Sequence, residues 1–231
     1  MTNTLFLRLT GPMQSWGERA RWSVRDTASE PTKSGIVGLL ACALGLNVDA
    51  DLRALSEKIR IGIRCDQPGT RLVDYHTIGG GYGNNATLYT AEGKLKRTET
   101  TKEPHTEISK RAYLHDASFF VAIRSDDETI AQLAEAVQNP VWIYFLGRKS
   151  CPPSEPIFAG IGNHATFEDA LKENLPVVEV PATLRAVIEC KPTDKDAVRR
   201  RDEIDSLSRR TFLPRYTRDI SIELSVGKEA I

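Results

Sequence analysis

Residues 5–9 (Leu-Phe-Leu-Arg-Leu) form a short apolar run ended by Gly11-Pro12, the pattern of a largely buried strand and its stop. After a polar loop, Ile36, Leu39, Leu40, Ala43 and Leu44 recur at helical spacing. Pro31-Thr32 or Ser34 can start that helix, and Gly45 closes it. Leu52, Leu55 and Ile59 predict a second helix leading into Ile59-Arg60-Ile61-Gly62-Ile63-Arg64-Cys65, whose alternation predicts a strand with one face in a core. Arg60, Gly62 and Arg64 then occupy a face expected to meet solvent or a polyanion. From Arg71 to Tyr113 the apolar periodicity lapses into a Gly-, Thr-, Lys- and Glu-rich excursion, too long for an ordinary connection and suited to a β-hairpin standing off the body. Residues 117–124 restore a buried strand, 126–138 an amphipathic helix ended by Asn139-Pro140, and 141–146 (Val-Trp-Ile-Tyr-Phe-Leu) a further strand.

The order strand, helix, strand, excursion, strand, helix, strand predicts an α+β chain with a ferredoxin-like or RRM-like sheet and a long β-hairpin thumb insertion. The expected division is residues 1–146 for that sheet, with the thumb at about 76–113, and 147–231 for a smaller β-rich C-terminal lobe. In the latter, Gly160-Ile161-Gly162 reads as a loop, residues 167–172 as a short helix, and 177–180, 184–189 and 220–226 as strands.

Composition narrows the function classes. At 231 residues, 40% hydrophobic and 27% charged, the chain fits a globular protein. It has neither an apolar run of about 18 residues nor a signal-peptide pattern, so a cytoplasmic location without membrane contact is expected. Cys42, Cys65, Cys151 and Cys190 are too scattered for a zinc site or disulfide framework, and no cofactor is expected. The 31 basic and 31 acidic residues cancel, but the cations concentrate in two islands, 94–111 and 195–218. Each island reads as a polyanion-binding surface or as solvated charge.

Two nucleotide motifs fail on context. Thr32 and Thr27 stand where a P-loop ending in Lys33-Ser34 needs glycines, and the strand-like residues after Gly81-x-Gly83-x-x-Ala86 occupy the place of a dinucleotide-binding helix. Thr32, Lys33 and Ser34 still offer free N–H groups, a cation and hydroxyls at a helix start, which serve phosphate binding or simple capping. Gln14, Ser15 and Trp16, followed by Arg19, Arg21, Trp22 and Arg25, interleave aromatic faces with cations in the manner of a stacking platform for single-stranded nucleic acid. The four histidines fall in no catalytic elbow, although residues 75–115 contain the Tyr, Lys and His that metal-independent RNA cleavage would use.

Residues 7–17 (Leu-Arg-Leu-Thr-Gly-Pro-Met-Gln-Ser-Trp-Gly) and 31–40 (Pro-Thr-Lys-Ser-Gly-Ile-Val-Gly-Leu-Leu), joined by Tyr113-Leu114-x-Asp116-Ala117-x-Phe119 and by residues 146–152 (Leu-Gly-Arg-Lys-Ser-Cys-Pro), carry a resemblance. The chain resembles the fifth Cas protein family of the RAMP superfamily, in its type I-E form. That resemblance implies a non-catalytic subunit of the type I-E CRISPR surveillance complex (Cascade) that caps the five-prime handle of CRISPR RNA. Its implied partners are CRISPR RNA, the backbone and large Cascade subunits and, through the complex, target DNA. At the handle it implies Gln14, Ser15, Trp16, Arg19, Arg21, Thr32, Lys33 and Ser34. Lys102, Lys110 and Arg111 would act from the thumb, and Arg148, Lys149 and Ser150 as a phosphate clamp. The alternative is the metal-independent endoribonuclease activity of a type I-C relative, against which the lack of a Lys-His dipeptide counts.

Overall fold

β1 (Thr4–Gln14) buries Leu5, Leu7 and Leu9 and runs past the expected stop. Pro12, which has no N–H to donate, leaves only a local gap in its ladder with β5 (Thr106–Arg124), opposite Asp116. The computed structural model describes residues 3–18, 23–79, 88–173, 176 and 180–224. α1 (Lys33–Leu44) follows, capped by the Thr32 side chain on the Gly35 N–H and closed by Gly45 at φ 74°. Next come α2 (Asp49–Lys58), β3 (Arg60–Gln67), β4 (Thr70–Gly79), α3 (Asp127–Gln138), β6 (Phe158–Gly162), α4 (Phe167–Ala170), β7 (Thr183–Glu189), β8 (Val198–Ser206) and β9 (Thr211–Glu223), with β2 (Val24–Arg25) a short piece beside β5. The chain is therefore α+β, built on a large sheet ordered β6-β1-β5-β3-β7-β9-β8 that is antiparallel apart from β2.

β3 and β4 lie on the same side of the 19-residue β5, separated by a break at Pro68-Gly69. Gly69 has φ 71°, and a Cβ there would stand 2.5 Å from the His115 carbonyl oxygen, so the chain has room at this joint only for glycine. Beyond it β4 and the first half of β5 leave the body as a ribbon. One side of the sheet packs α1, α2 and α3 in a core that includes Trp16, Ile36, Leu40, Phe119, Ile130 and Leu146. β8 and β9 curl over the helices, adding Ile204 to that core.

Three expectations are corrected. Residues 141–146 are not a strand: the Val141 and Trp142 N–H groups donate to the Ala43 and Cys42 carbonyls at the open end of α1, and Ile143 is left 78% exposed. The strand beside β1 is instead β6, where Gly160 and Gly162 looked like a loop; Gly162 lies so close to His164 and Phe6 that a Cβ would collide with both. Of the Arg60, Gly62 and Arg64 side of β3, only Arg60 is open, its side chain 56% exposed. Phe167 of α4 sits on Gly62, and a second core of Phe6, Phe120, Phe167, Leu184 and Ile222 covers Arg64 completely. The strand expected at 177–180 falls largely outside the described residues, as does the end of that expected at 220–226.

The turn between β8 and β9 is tied to the start of α2 by Asp49. The Ser206 and Ser208 hydroxyls each donate to its carboxylate at 2.6 Å, and the Leu207 and Ser208 N–H groups add weaker bonds. These donors, the two hydroxyls first, pull the carboxyl from its ordinary 3.8 down to about 2. A depressed acid contributes stability that is whole above its unfolded value and is lost as pH falls through the folded one. Asp49→Asn should therefore flatten the pH dependence of urea unfolding between about pH 4 and 2. An unchanged slope would mean that the turn is held elsewhere.

Candidate nucleic-acid interface

The Gln14-Ser15-Trp16 segment ends β1 by turning inward. Gln14 Nε2 donates to the Leu9 and Ala117 carbonyls at 2.9 and 2.7 Å, and its Oε1 accepts from Trp16 Nε1 at 3.0 Å. The Trp16 ring, 1% exposed, lies on Gly35, where a Cβ would come within 2.7 Å of it. Ser15 Oγ donates to the Ala112 carbonyl. Stacking by Trp16 and direct base contacts by Gln14 and Ser15 are thus corrected: a buried ring has no free face, and buried amide and hydroxyl groups already bonded within the chain are not available to a ligand. Their work is to anchor the loop that follows, through Trp16 N–H to Thr27 Oγ1 and Ala28 N–H to the Trp16 carbonyl. Arg19 and Arg21, together with Trp22, lie in that loop but outside the described residues.

The start of α1 is likewise occupied from within. Thr32, buried, spends its hydroxyl on the cap. The Lys33 N–H donates to Asp202 Oδ2 at 2.9 Å, so an internal carboxylate already fills the place expected for a phosphate. Lys33 Nζ, 3% exposed, pairs with Glu203 at 2.9 Å and Glu189 at 3.5 Å. Burial by itself raises the Asp202 carboxyl, but hydrogen bonds from Arg215 and the Lys33 backbone bring it below its usual value. Ser34 is half-buried and bonds Thr32. Phosphate binding by Thr32 and Lys33 is corrected on this geometry; the capping alternative describes what they do.

In the island at 195–218, three of the cations are held by acids of the chain itself. Arg200 pairs with Glu30 at 2.6 Å and Glu18 at 3.2 Å, Arg215 with Asp202 at 2.7 Å, and Arg218 with Glu168 at 2.9 Å. Burial would raise the Glu30 carboxyl, yet the Ser29 hydroxyl and the Arg200 and Arg185 guanidiniums hold it below its ordinary value. These acids and bases lie far apart in sequence and neutralise each other in the fold.

A further group of cations stands at the root of the ribbon. β2 pairs with β5 in parallel, setting Val24 beside Lys110 and Arg25 beside Arg111. β4 pairs on the other side, setting Tyr75 opposite Lys110 and Asp74 opposite Arg111. Neighbours across a sheet share a face, so Arg25, Arg111 and Tyr113 stand on one side of the ribbon, and Lys110 with Tyr75 on the other. Arg148 closes the first side: its guanidinium lies 4.7 Å from the Tyr113 ring centre and donates to the Ala112, Arg25 and Asp26 carbonyls at 3.1–3.2 Å. Gly147 brings it there at φ 91°, crossing Ser15 so closely that a Cβ would lie 1.8 Å from the Ser15 oxygen. Lys149 and Ser150 follow, both exposed. The structure thus brings Arg111 and Arg148 together with Arg25 at Tyr113, with Lys149 and Ser150 next in the chain, and leaves Lys110 on the opposite face of the ribbon. Lys102, exposed at φ 60° in a turn beyond the ribbon, is not part of this group. In the sequence Arg25 reads only as part of the aromatic and cationic loop and Gly147 only within the 146–152 motif; their place in this group depends on strand pairing and backbone approach, which residue type does not report.

The Tyr, Lys and His of the ribbon do not converge. Alternation along β4 and β5 puts His76 and His115 on the face away from Tyr75 and Lys110, while His105 pairs with Glu107 and His115 with Asp116.

The family model for CRISPR-associated protein (Cas_Cas5) matches residues 4–218. A CRISPR system Cascade subunit, CasD of Escherichia coli (strain K12), is 36% identical over 190 residues, 77% of this chain and 79% of that protein. Among solved structures, a chain of a CRISPR RNA-guided surveillance complex superposes with TM-score 0.79 at 30% identity, covering 96% of this chain and 90% of its own. The crystal structure of a Cas protein gives 0.69 at 31% identity, covering 95% of each.

Proposed function

Because the chain belongs to the Cas5 family of CRISPR-associated proteins, we propose that it is a subunit of a type I-E RNA-guided surveillance complex that binds the five-prime handle of CRISPR RNA without cutting it. It acts in the cytoplasm, beside backbone and large subunits, and meets target DNA through the assembled complex. The observation that carries this reading is the union of Arg25, Arg111 and Arg148 around Tyr113, where β2, the ribbon and Arg148 converge, with the exposed Lys149 next in the chain. Cations held by a sheet and backed by an aromatic ring suit the phosphates of a single strand, whereas guide pairing supplies target sequence. The strand order β6-β1-β5-β3, with helices between β1 and β3 and between β5 and β6, supports a ferredoxin-like reading of the body.

Handle RNA titrated across a salt series should give a steep negative log–log slope. Replacing Arg25, Arg111 and Lys149 by glutamine should reduce that slope by about 2, at ~0.7 per lost single-strand phosphate contact. A slope that the triple variant leaves unchanged would remove RNA from this surface. The second reading, a metal-independent endoribonuclease, rests on Tyr75 and Lys110 standing together on one face. Cleavage of repeat RNA by the purified chain in chelator would establish it over the non-cutting role.

A further inference from the structure

Among the described residues the outer edge of β4 carries no partner strand. All ten of its residues are exposed, among them Leu72, Val73, Tyr75 and Ile78 at 41–59%. Among the described residues β5 is its only neighbour. Which backbone groups face outward follows from β5. The Lys110 N–H donates to the Ser23 carbonyl, and the Ala112 carbonyl accepts from Ser15 Oγ and Arg148, so both residues spend their backbone groups away from β4. Their partners Tyr75 and Val73 are therefore at non-hydrogen-bonded positions and turn their own N–H and C=O to the free edge; by alternation Arg71 and Thr77 do the same.

We propose that this edge pairs with a second copy of the chain, antiparallel, about a two-fold axis at Tyr75. Outward-facing residues must then meet outward-facing residues, which restricts the register to steps of two. Centred on Tyr75, Val73 meets the second copy's Thr77 through hydrogen bonds. The intervening positions, where side chains approach most closely, set Leu72 against the second copy's Ile78 and Asp74 against its His76. The neighbouring registers are poor: centring on Asp74 opposes two carboxylates, and centring on His76 sets Asp74 against Ile78. A row of alternating N–H and C=O groups is satisfied by another extended polypeptide, not by a polynucleotide, and an edge with this much exposed apolar surface is open to such pairing. The inference does not rest on the RNA reading.

The full-length, RNA-free chain should be followed by analytical ultracentrifugation from micromolar to several hundred micromolar. A concentration-dependent monomer–dimer equilibrium is expected. Thr77→Pro removes an outward donor while sparing the β4–β5 ladder, a placement proline tolerates on an edge strand, and should give a monomer with an unchanged far-ultraviolet spectrum. His76→Asp opposes like charges twice in the symmetric dimer and should weaken association about tenfold. The swap Asp74→His/His76→Asp should restore it, a rescue that damage to the ribbon would not produce. A chain monomeric throughout, a dimer indifferent to Thr77→Pro, or a swap as weak as His76→Asp alone would overturn the proposal.

Discussion

Arg64→Ala is expected to cost about 3–5 kcal/mol, the range for removing one partner of a buried ion pair. Arg64 is fully buried, with Nε and an amino group fixed on the Asp66 carboxylate at 2.6 and 3.1 Å. It also donates to the carbonyls of Leu171 and Glu173 and lies 4.5 Å from the Phe120 ring centre. Its loss strands the Asp66 charge and two main-chain acceptors in a core, and for a chain of this size the melting temperature should fall on the order of 10 °C. Arg64→Leu/Asp66→Leu should recover part of that, because the stranded carboxylate goes while the carbonyls stay unsatisfied. A loss below about 1 kcal/mol would mean that water reaches this side of β3.

Trp16→Ala should be comparably severe, about 3–5 kcal/mol, as for other large-to-small changes of a buried aromatic. The ring fills the space over Gly35, and its Nε1 is the donor to Gln14 Oε1 inside the core. The same variant separates packing from stacking. If the ring packs, urea unfolding shifts strongly, and the fraction that remains folded binds RNA with the parent's salt slope. Unchanged stability with a selective loss of RNA affinity would instead put the ring at the ligand.

Both residues expose what a linear reading of this chain could and could not reach. α1 was legible to its caps because Thr32, the helical spacing and Gly45 are all local. β1, β3 and the core half of β5 were legible from runs and alternation for the same reason. Lys33 was not, since the acids that claim it stand up to 170 positions away, and a lysine beside hydroxyls at a helix start looks alike whether it awaits phosphate or Glu203. Trp16 among arginines has the composition of a stacking platform whether its ring turns out or in. Residues 141–146 have the composition of a strand but spend two N–H groups on α1, while β6 hides behind its glycines. At the root of the ribbon the cations were readable one by one. Their union was not, because it depends on the β2–β5 register and on Gly147 passing over Ser15.

β5 runs from the middle of the sheet to Thr106 on the ribbon, 19 residues that span at most roughly 60 Å at ~3.3 Å per residue, with an irregularity at Asp116, whose φ is 53°. The close fit of Gly69 against His115 leaves no slack where the ribbon begins. The strand is therefore a ruler: whatever grips the far end of the ribbon is kept at a set distance and angle from whatever grips the body. Adding two residues to each of β4 and β5 would preserve which side chains face which way and move the outer grip by about 7 Å, a change of gauge with no change of surface.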